Sequence, residues 1–494
     1  MFCCWTQEKR NYISFDTFNL LLSKIRGRCH IQQWIILSND VYILTMENKR
    51  YLTKIGFARP EDIHVDNITH TPAGRIDTKH RYHLKQHSTT INNLNHKDSI
   101  KPGLAAHGFT VLNLSTNTKL QQIFANIRTT GLFTTLSKQN VLQEMLLSSF
   151  QSSDNKHTIR IINPVSEGLF LRQTGPNGIP ITDVNGETSM GSAKNAHVDN
   201  NVDGTPLKQY IRGWAPWLFH HISPGKTNLW SPLYIMRIWI PLYQPVRPLV
   251  IMDQNTFNRS TEQIAFHLPT GDFMKKSKQG LSKILSTGED LSLVDVWHII
   301  HGKQQEWYFY SDMNHTQGYA FSTLDGAHTS CSLPGEEIAS LLFEHINSIV
   351  DAIEHKSEDI HLSKLYLKTS SIINDANDAK KKVLKRSQIT IGLSTGIEEM
   401  IRCLHMFQKE MNGSSQKNRN LIQLIPVLRL SQSLVIRQSV EITSLAIVTR
   451  NDWNYYDCLI GLVVVVMCVK WLLSRLSKRS KIFSENKKTR KKKE

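Results

Sequence analysis

The feature that most limits the fold of this chain is a succession of short β-type runs between residues 158 and 324. Pro, Gly or other turn residues bound most runs, and several alternate apolar and polar positions as half-buried strands do. Eight short strands at this spacing are what a jelly roll or double-stranded β-helix requires. We therefore expect a mainly β barrel core with flanking α-helices. The runs are Thr158–Ile162, Leu169–Arg172, Tyr234–Ile240, Leu249–Met252, Gln263–His267, Val294–Ile300, Trp307–Tyr310 and Tyr319–Leu324.

Two histidines and an aspartate in and just after this segment form a possible metal-ligand set. His197-Val-Asp199 precedes the middle runs, and His328 follows the last one. Two imidazoles and one carboxylate can hold Fe(II) on one face and leave the other positions open. Because a rolled-up sheet makes neighbours of strands that are distant in sequence, the long separation is no obstacle. We predict that His197, Asp199 and His328 are metal ligands.

The His-x-Asp pair also has competing interpretations. The chain holds 21 histidines, so roughly one such pair is expected by chance alone, and further copies occur at 64–66 and 96–98. Both copies lie in a stretch from about 56 to 103 that is rich in His, Asn, Lys and Thr and is typical of loop or partly disordered chain. Alternatively, His197 is a surface histidine and Asp199 is a turn residue.

Further motifs accompany the pair in a fixed order. After His197-Val-Asp199 the chain carries Ile238-Trp-Ile-Pro-Leu242, Pro245-Val-Arg-Pro-Leu249, Trp307-Tyr-Phe309 and His328-Thr329. Over residues from about 160 to 340, this order resembles the Fe(II)/2-oxoglutarate-dependent oxygenase superfamily, and within it the CmcJ-like hydroxylase/desaturase group. The resemblance implies that the three ligands bind Fe(II), that 2-oxoglutarate is the cosubstrate, and that a small organic or lipid-like molecule is hydroxylated or desaturated.

The expected anchor for the cosubstrate is missing from its usual place. Members of the superfamily commonly hold the far carboxylate of 2-oxoglutarate with a basic residue after the distal histidine, often in an R-x-S pattern. After His328, no Lys or Arg occurs before His345. We predict that Arg237 binds the cosubstrate, with Arg247 and Arg259 as further candidates; an edge position for Arg237 is the competing interpretation. The departure also leaves open a non-catalytic, membrane-tethered β-barrel that acts as a binding or scaffold protein.

The C-terminal end has a different composition. The residues from 458 to 476 are predominantly apolar, which predicts one transmembrane helix over 454–476. Residues 470–494 carry eleven Lys or Arg and two Glu, so a net +9 of the chain's +17 lies there. Positive charge beside an apolar segment favours membrane headgroups over nucleic acid as a partner. The Lys-Lys-Lys-Glu ending further suggests a single-pass protein of the endoplasmic reticulum, and a buried core helix is the alternative.

The remaining regions complete the predicted organisation. The seven cysteines form no C-x-x-C pair, which suits a reducing compartment. Apolar residues between Glu336 and Glu354 recur at a helical period. The topology and the oligomeric state stay open. The predicted divisions are an unassigned, partly disordered region at 1–103, an oxygenase-like domain at 104–335, a helical region at 336–450, the membrane helix at 454–476 and a basic tail at 477–494.

Overall fold

All eight β-type runs of the sequence form strands in the computed structural model of the protein. The described residues belong to one compact unit that begins at Asn48. The structure describes residues 49–59, 75–76, 85–130, 135–164, 169–178, 181, 195–199, 233–269, 293–323, 326–355, 359–384, 389–412 and 417–451.

The strands of the described residues form two sheets. One has nine strands in the order β1-β3-β13-β10-β15-β8-β12-β11-β2, and the other has seven in the order β6-β5-β4-β14-β9-β16-β7. The strands are β1 (Arg50–Phe57), β2 (Arg75–Ile76), β3 (Lys85–Asn93), β4 (Phe109–Asn113), β5 (Ser149–Ser152), β6 (His157–Pro164), β7 (Phe170–Thr174), β8 (His197–Val198), β9 (Leu233–Tyr243), β10 (Leu249–Met252), β11 (Gln263–Pro269), β12 (Leu293–Ile299), β13 (Trp307–Phe309), β14 (Gln317–Ser322), β15 (His328–Ser330) and β16 (Arg437–Arg450).

The helices lie in two groups. Short or medium helices precede and interrupt the strands, and four longer helices separate β15 from β16. The helices are α1 (Leu104–His107), α2 (Thr118–Thr130), α3 (Thr135–Leu147), α4 (Arg259–Glu262), α5 (Glu336–Glu354), α6 (Asp359–Leu384), α7 (Ile391–Asn412) and α8 (Lys417–Ser433).

The strand β16, the last one among the described residues, closes part of the seven-stranded sheet into a ring. Its residues 444–450 pair with β6 and its residues 437–441 pair with β7, while β9 runs along its other edge. Since β6 is also the end of the series β6-β5-β4-β14-β9-β16, these six strands form a closed ring. The chain therefore returns to the sheet after the four long helices.

Side-chain alternation along β9 separates two cores. Tyr234, Met236, Ile238, Ile240 and Leu242 enter a core shared with α2 and α3. Trp239, on the opposite face, packs with Leu249, Ile251, Tyr308 and Phe321 between the two sheets. Arg237 shares the face of Trp239, because residues two apart point to the same side of a strand. This places Arg237 in the space between the sheets.

The outer face of the nine-stranded sheet is covered by the four long helices. Val250 and Cys331 from the sheet and Leu342 and Ile346 from α5 belong to one buried apolar cluster. The helix α5 begins after Gly335, whose φ of +96° is a left-handed conformation that favours glycine. The buried Glu336 carboxylate accepts hydrogen bonds from the backbone N–H groups of Arg247 (2.6 Å) and Leu333 (2.9 Å), which ties this helix start to the sheet.

The predicted fold class is wrong in two respects. Instead of one barrel core, the strands form two sheets. One sheet is mixed, with parallel pairs β3–β13 and β2–β11, and the other contains the six-stranded ring. The first sheet also includes β1 and β3, which come from the N-terminal region to which the sequence assigned no structure.

The second correction concerns the membrane. In the part of the chain that the structure describes, no helix combines the length and the apolar character needed to cross a bilayer. This finding overturns the predicted C-terminal transmembrane helix, together with the single-pass membrane location, the endoplasmic reticulum assignment and the membrane partner that depended on it. Residues 454–476 and the basic tail lie outside the described residues.

Candidate metal centre

Alternation in the short segment 196–199 aims the predicted ligands at the space between the sheets. Ala196 and Val198 enter the apolar cluster on the outer face, so His197 and Asp199 point to the opposite side. β8 lies between β12 and β15, and His197 is the register partner of His328 on β15. The pairing of β8 with β15 thus brings together two histidines that are far apart in sequence.

The three predicted ligands meet at one point. Asp199 Oδ1 lies 3.7 Å from His197 Nε2 and 3.8 Å from His328 Nε2. One ligand atom from each residue lies within 4.8 Å of the others, and this is the one such group of three or more His, Cys, Asp or Glu among the described residues. The donor set of two imidazoles and one carboxylate could hold an iron ion.

Backbone carbonyls fix the tautomer of both histidines. His197 Nδ1 lies 2.9 Å from the carbonyl oxygen of Asn195, and His328 Nδ1 lies 3.0 Å from that of Gly326. A carbonyl oxygen only accepts hydrogen bonds, so each Nδ1 must carry the proton and donate it. In a neutral imidazole with this tautomer the lone pair is on Nε2, which in both residues lies on the side of Asp199. Such bonds to the second nitrogen orient histidine ligands in metal sites.

The electrostatics of the site favour the metal-binding protonation states. Burial, together with the neighbouring His197, lowers the pKa of His328 to about 4, so this imidazole is neutral at pH 7. Burial alone would raise the pKa of Asp199, but the Arg237 guanidinium holds it well below its ordinary range. At neutral pH the site therefore offers the neutral imidazole of His328 and the carboxylate of Asp199.

Arg237 contacts the metal-ligand candidate itself. Its Nε and Nη2 donate hydrogen bonds to Asp199 Oδ2, at 3.0 and 2.7 Å, and its Nη1 lies 3.5 Å from Glu441 Oε1. The sequence predicted a role for Arg237 in binding the cosubstrate. The structure places its guanidinium between two carboxylates of the protein.

The one competing His-x-Asp copy within the described residues does not join this group. His96 and Asp98 occupy the turn after β3, where the backbone N–H of Asp98 donates to His96 Nδ1. His64 and Asp66 lie outside the described residues. Trp239, Trp307 and Tyr308, from the ordered motifs, are buried.

Arg437 and Ser439, two residues that sequence reasoning missed, lie on β16. They form the R-x-S pattern that was sought directly after His328. The helices α5–α8 separate the pattern from that histidine, so a search of the adjacent sequence does not reach it. β16 pairs regularly with β7 from Arg437 to Glu441, which places Arg437, Ser439 and Glu441 on one face. The Arg437 guanidinium lies 5.9 Å from the ring centroid of Trp239, between the sheets.

Arg437 is a buried cation with spare hydrogen-bonding capacity. It is 2% exposed, and its Nη1 donates to the carbonyl oxygen of Arg247 at 2.5 Å. Burial and the nearby guanidinium groups of Arg172 and Arg247 lower its pKa to about 9. Its Nε and the hydroxyl of Ser439 have no hydrogen-bond partner among the described residues. An unpaired buried polar group is costly, so a bound anion would satisfy both.

A cleft of about 800 Å³ lies beside Arg247, whose backbone carbonyl accepts the hydrogen bond from Arg437. It is lined by Arg247 and by Ser330, which is two residues beyond His328 on β15. Arg247 Nη2 donates to the Ser330 hydroxyl at 3.1 Å. Lys54 and Lys382 add two further positive charges to the lining, against one negative charge from Glu337. The cleft is therefore predominantly basic, and it has the volume of a site for a small organic molecule.

Comparison with known proteins gives limited information. No protein-family model matches the chain, and no curated protein matches it in sequence. Among solved structures, a variant of the iron and alpha-ketoglutarate-dependent endoperoxidase NvfI aligns with 13% identity and a TM-score of 0.36, over 59% of this chain and 92% of that one. Another structure of NvfI aligns with 12% identity and a TM-score of 0.35, over 57% and 90%. Because these TM-scores are low, the functional conclusion depends on the residues of the site.

Proposed function

We propose that the protein is a non-haem Fe(II)- and 2-oxoglutarate-dependent oxygenase. The observation that carries this proposal is the convergence of two imidazole Nε2 atoms and one carboxylate oxygen at a single point. The hydrogen bonds that fix both histidine tautomers support it further. Such a set occupies one face of the metal and leaves positions for an oxo acid and for O2.

Arg437 and Ser439 supply the strongest candidate site for the far carboxylate of the oxo acid. A guanidinium and a hydroxyl, both buried and incompletely paired, lie on the face of β16 that points between the sheets. Guanidinium groups form strong, charge-assisted hydrogen bonds with carboxylates. Arg237, which the sequence predicted for this role, remains a candidate, although two of its nitrogens already contact Asp199.

The substrate that we propose is a small organic or lipid-like molecule, which is hydroxylated or desaturated as in the CmcJ-like group. Bound iron, O2 and the oxo acid would supply the oxidising power for attack on a carbon–hydrogen bond. The chain itself holds the ligands and excludes water. Leu249, Ile251 and Phe321 are buried on the same side of the sheets as the ligands, which favours a dry site.

The test uses the full-length protein, because β1 and β3 belong to the nine-stranded sheet. Fe(II) and then 2-oxoglutarate are added without oxygen, and the visible charge-transfer absorption is recorded. We expect a band for the wild type that is lost in His197→Ala and Asp199→Ala. His96→Ala is the matched control, since His96 belongs to a His-x-Asp copy in a surface turn, and it should retain the band.

Each other outcome would change the proposal. Stoichiometric Fe(II) binding without a band on addition of 2-oxoglutarate would show that the site uses another cosubstrate. Absence of metal binding by folded protein would contradict the oxygenase proposal. It would favour the alternative of a non-catalytic β-barrel that serves as a binding or scaffold protein.

A further inference from the structure

Four charged side chains, largely shielded from solvent, form a continuous series from the candidate metal centre across strands β9, β16 and β7. Arg237 on β9 contacts Asp199 on one side and Glu441 on the other. Glu441, on β16, also pairs with Arg172 on β7, whose Nε and Nη2 both lie 2.7 Å from Glu441 Oε1. The charged side chains therefore contact one another in the order Asp199, Arg237, Glu441 and Arg172.

The register of the strands fixes this order. Glu441 is the partner of Trp239 on β9 and of Phe170 on β7. Arg237 and Arg172 are each two residues from one of those partners, so both lie diagonally opposite Glu441, within reach of long side chains. Burial alone would raise the pKa of Glu441, but Arg237 and Arg172 hold it below its ordinary value. Glu441 thus stays ionised and can anchor both guanidinium groups.

The contact between Arg237 and Asp199 is unusual because both hydrogen bonds go to the same carboxylate oxygen. An arginine that pairs with a carboxylate frequently forms two parallel hydrogen bonds, one to each oxygen. Here both donors, Nε and Nη2, lie on the single oxygen Oδ2. The other oxygen, Oδ1, is the one that faces the two histidine Nε2 atoms.

We propose that Arg237 is a positioning residue that makes Asp199 a single-oxygen ligand, and that Glu441 and Arg172 hold Arg237 in that position. The inference rests on the proposed metal site and deepens it. A carboxylate whose second oxygen is free can bind a metal through both oxygens and occupy an additional position. Because Arg237 donates both hydrogen bonds to Oδ2, that oxygen is kept from the metal and the additional position is left for the oxo acid.

The chain of charges also sets the charge at the metal. Arg237 neutralises Asp199, and Glu441 and Arg172 neutralise each other, so a divalent ion would keep close to its full charge. An oxo acid with two carboxylates would match that charge. Removal of Arg237 should therefore weaken oxo-acid binding more than metal binding.

The experiment uses Co(II) as a visible probe in the full-length protein. Arg237→Met is compared with the wild type for Co(II) affinity, for the Co(II) absorption bands and for the affinity of 2-oxoglutarate, measured from its effect on those bands. We expect altered bands in the absence of 2-oxoglutarate, Co(II) affinity within a few-fold of the wild type, and oxo-acid affinity reduced on the order of 10–100-fold.

Two control variants separate positioning from other effects. Arg429→Met removes an arginine that contacts both oxygens of Glu354 in the helical layer, and it should change none of the three readouts. Arg437→Met should weaken 2-oxoglutarate binding without altering the Co(II) bands, because Arg437 contacts no predicted metal ligand among the described residues.

Milder variants keep the inference testable if Arg237→Met does not fold. Glu441→Gln retains the shape of the side chain but loses the charge, so we expect the same band change with a smaller loss of oxo-acid affinity. Arg237→Lys retains the charge but not the planar pair of donors. Its Co(II) bands and oxo-acid affinity should therefore be close to those of Arg237→Met. Thermal unfolding verifies that each variant is folded.

Two results would overturn the inference. If Arg237→Met and Glu441→Gln bind Co(II) with wild-type bands and wild-type oxo-acid affinity, Arg237 does not position Asp199, although the metal site stands. If the folded wild type binds no Co(II), the proposed function fails and the inference fails with it.

Discussion

The two faces of the nine-stranded sheet differ in chemistry although the same strands form both. On β15 and its flanks, His328 and Ser330 point between the sheets, while Ala327 and Cys331 enter the apolar cluster beneath the helices. The inner face carries the metal-ligand candidates, and Arg237 of the facing seven-stranded sheet contacts Asp199 there. The outer face carries the largest buried apolar cluster among the described residues.

The comparison shows how one strand can serve both stability and chemistry. The outer face is buried by apolar contacts, which contribute most of the free energy of folding. The inner face holds charged groups whose burial is costly unless they are paired. Because alternate residues of a strand point to opposite faces, substitutions one position apart should affect either stability or ligand binding, but not both equally.

The largest expected effect is a loss of metal affinity when a residue on the inner face is substituted. His328→Ala removes one of the three proposed ligands, so we expect metal affinity to fall by more than about 100-fold, because even a partner of a ligand is worth 10–100-fold. Equilibrium dialysis with Co(II) measures this affinity. Thr329→Ser, one position away on the outer face, should leave it unchanged; equal losses in both variants would break the comparison.

The next effect is on stability from the outer face. Leu342→Ala on α5 empties a fully buried position in the apolar cluster, so we expect a loss of about 2–5 kcal/mol in the free energy of unfolding. Denaturant titration measures it, and metal affinity of the folded protein should not change. Leu367→Ala on α6, where the side chain is 73% exposed, should stay within about 0.5 kcal/mol of the wild type.

A smaller effect is expected at the proposed cosubstrate anchor. Arg437→Met removes a charge-assisted contact, worth about 1.5–3 kcal/mol, so 2-oxoglutarate affinity should fall on the order of 10–100-fold. Titration of the anaerobic Fe(II) protein with 2-oxoglutarate gives the affinity. Gln438→Ala, which faces the opposite side of β16, is the control. An unchanged affinity in Arg437→Met with a loss in Arg247→Met would move the anchor to Arg247.

The smallest effect is a dependence of stability on pH. Burial and the nearby Lys368 lower the pKa of His345 to about 4, and its Nε2 lies 2.9 Å from the Thr369 hydroxyl. Between pH 6.5 and 4 the unfolded chain binds a proton that the folded protein does not bind, so stability falls as the pH falls. We expect His345 to account for about 1–2 kcal/mol between pH 7 and 5.

Denaturant titrations at both pH values measure this loss. His345→Gln has no proton to bind in this range, so its curve should be flatter by that amount. Buried His298 and His328, with pKa values lowered to about 3 and about 4, should keep part of the pH dependence. An identical slope in His345→Gln and the wild type would contradict the assignment.

The sequence predicted the local elements well and the distant pairings poorly. The β-type runs and the helix Glu336–Glu354 follow from periodicity, which depends on neighbouring residues alone. The meeting of His197, Asp199 and His328 was also predicted, from motif order and resemblance. By contrast, the closed ring depends on pairings between strands far apart in sequence, and periodicity carries no information on such partners.

Arg437 and Glu441 show why part of the site was missed. The segment Arg437–Arg450 is rich in β-branched residues, which was a usable strand signal. Because the helices α5–α8 precede it, the sequence grouped it with the helical region. The pairing of Arg237 with Asp199 could not be predicted either, because Asp199 directly follows β8 of one sheet, Arg237 lies on the other, and the pairing depends on how those sheets pack against each other.

The closing position of β16 has a consequence for biosynthesis. The proposed anchor for the oxo acid and the carboxylate that holds Arg237 are both on this strand, after α5–α8. During synthesis β8 and β15 are made before Arg437 and Glu441, so the proposed site stays incomplete until the first part of β16 has been added. Contacts between such distant segments fold slowly, because a long loop must close before they form. A product that ends before β16 would lack both the proposed oxo-acid anchor and the carboxylate that contacts Arg237. We therefore expect it to lose affinity for 2-oxoglutarate.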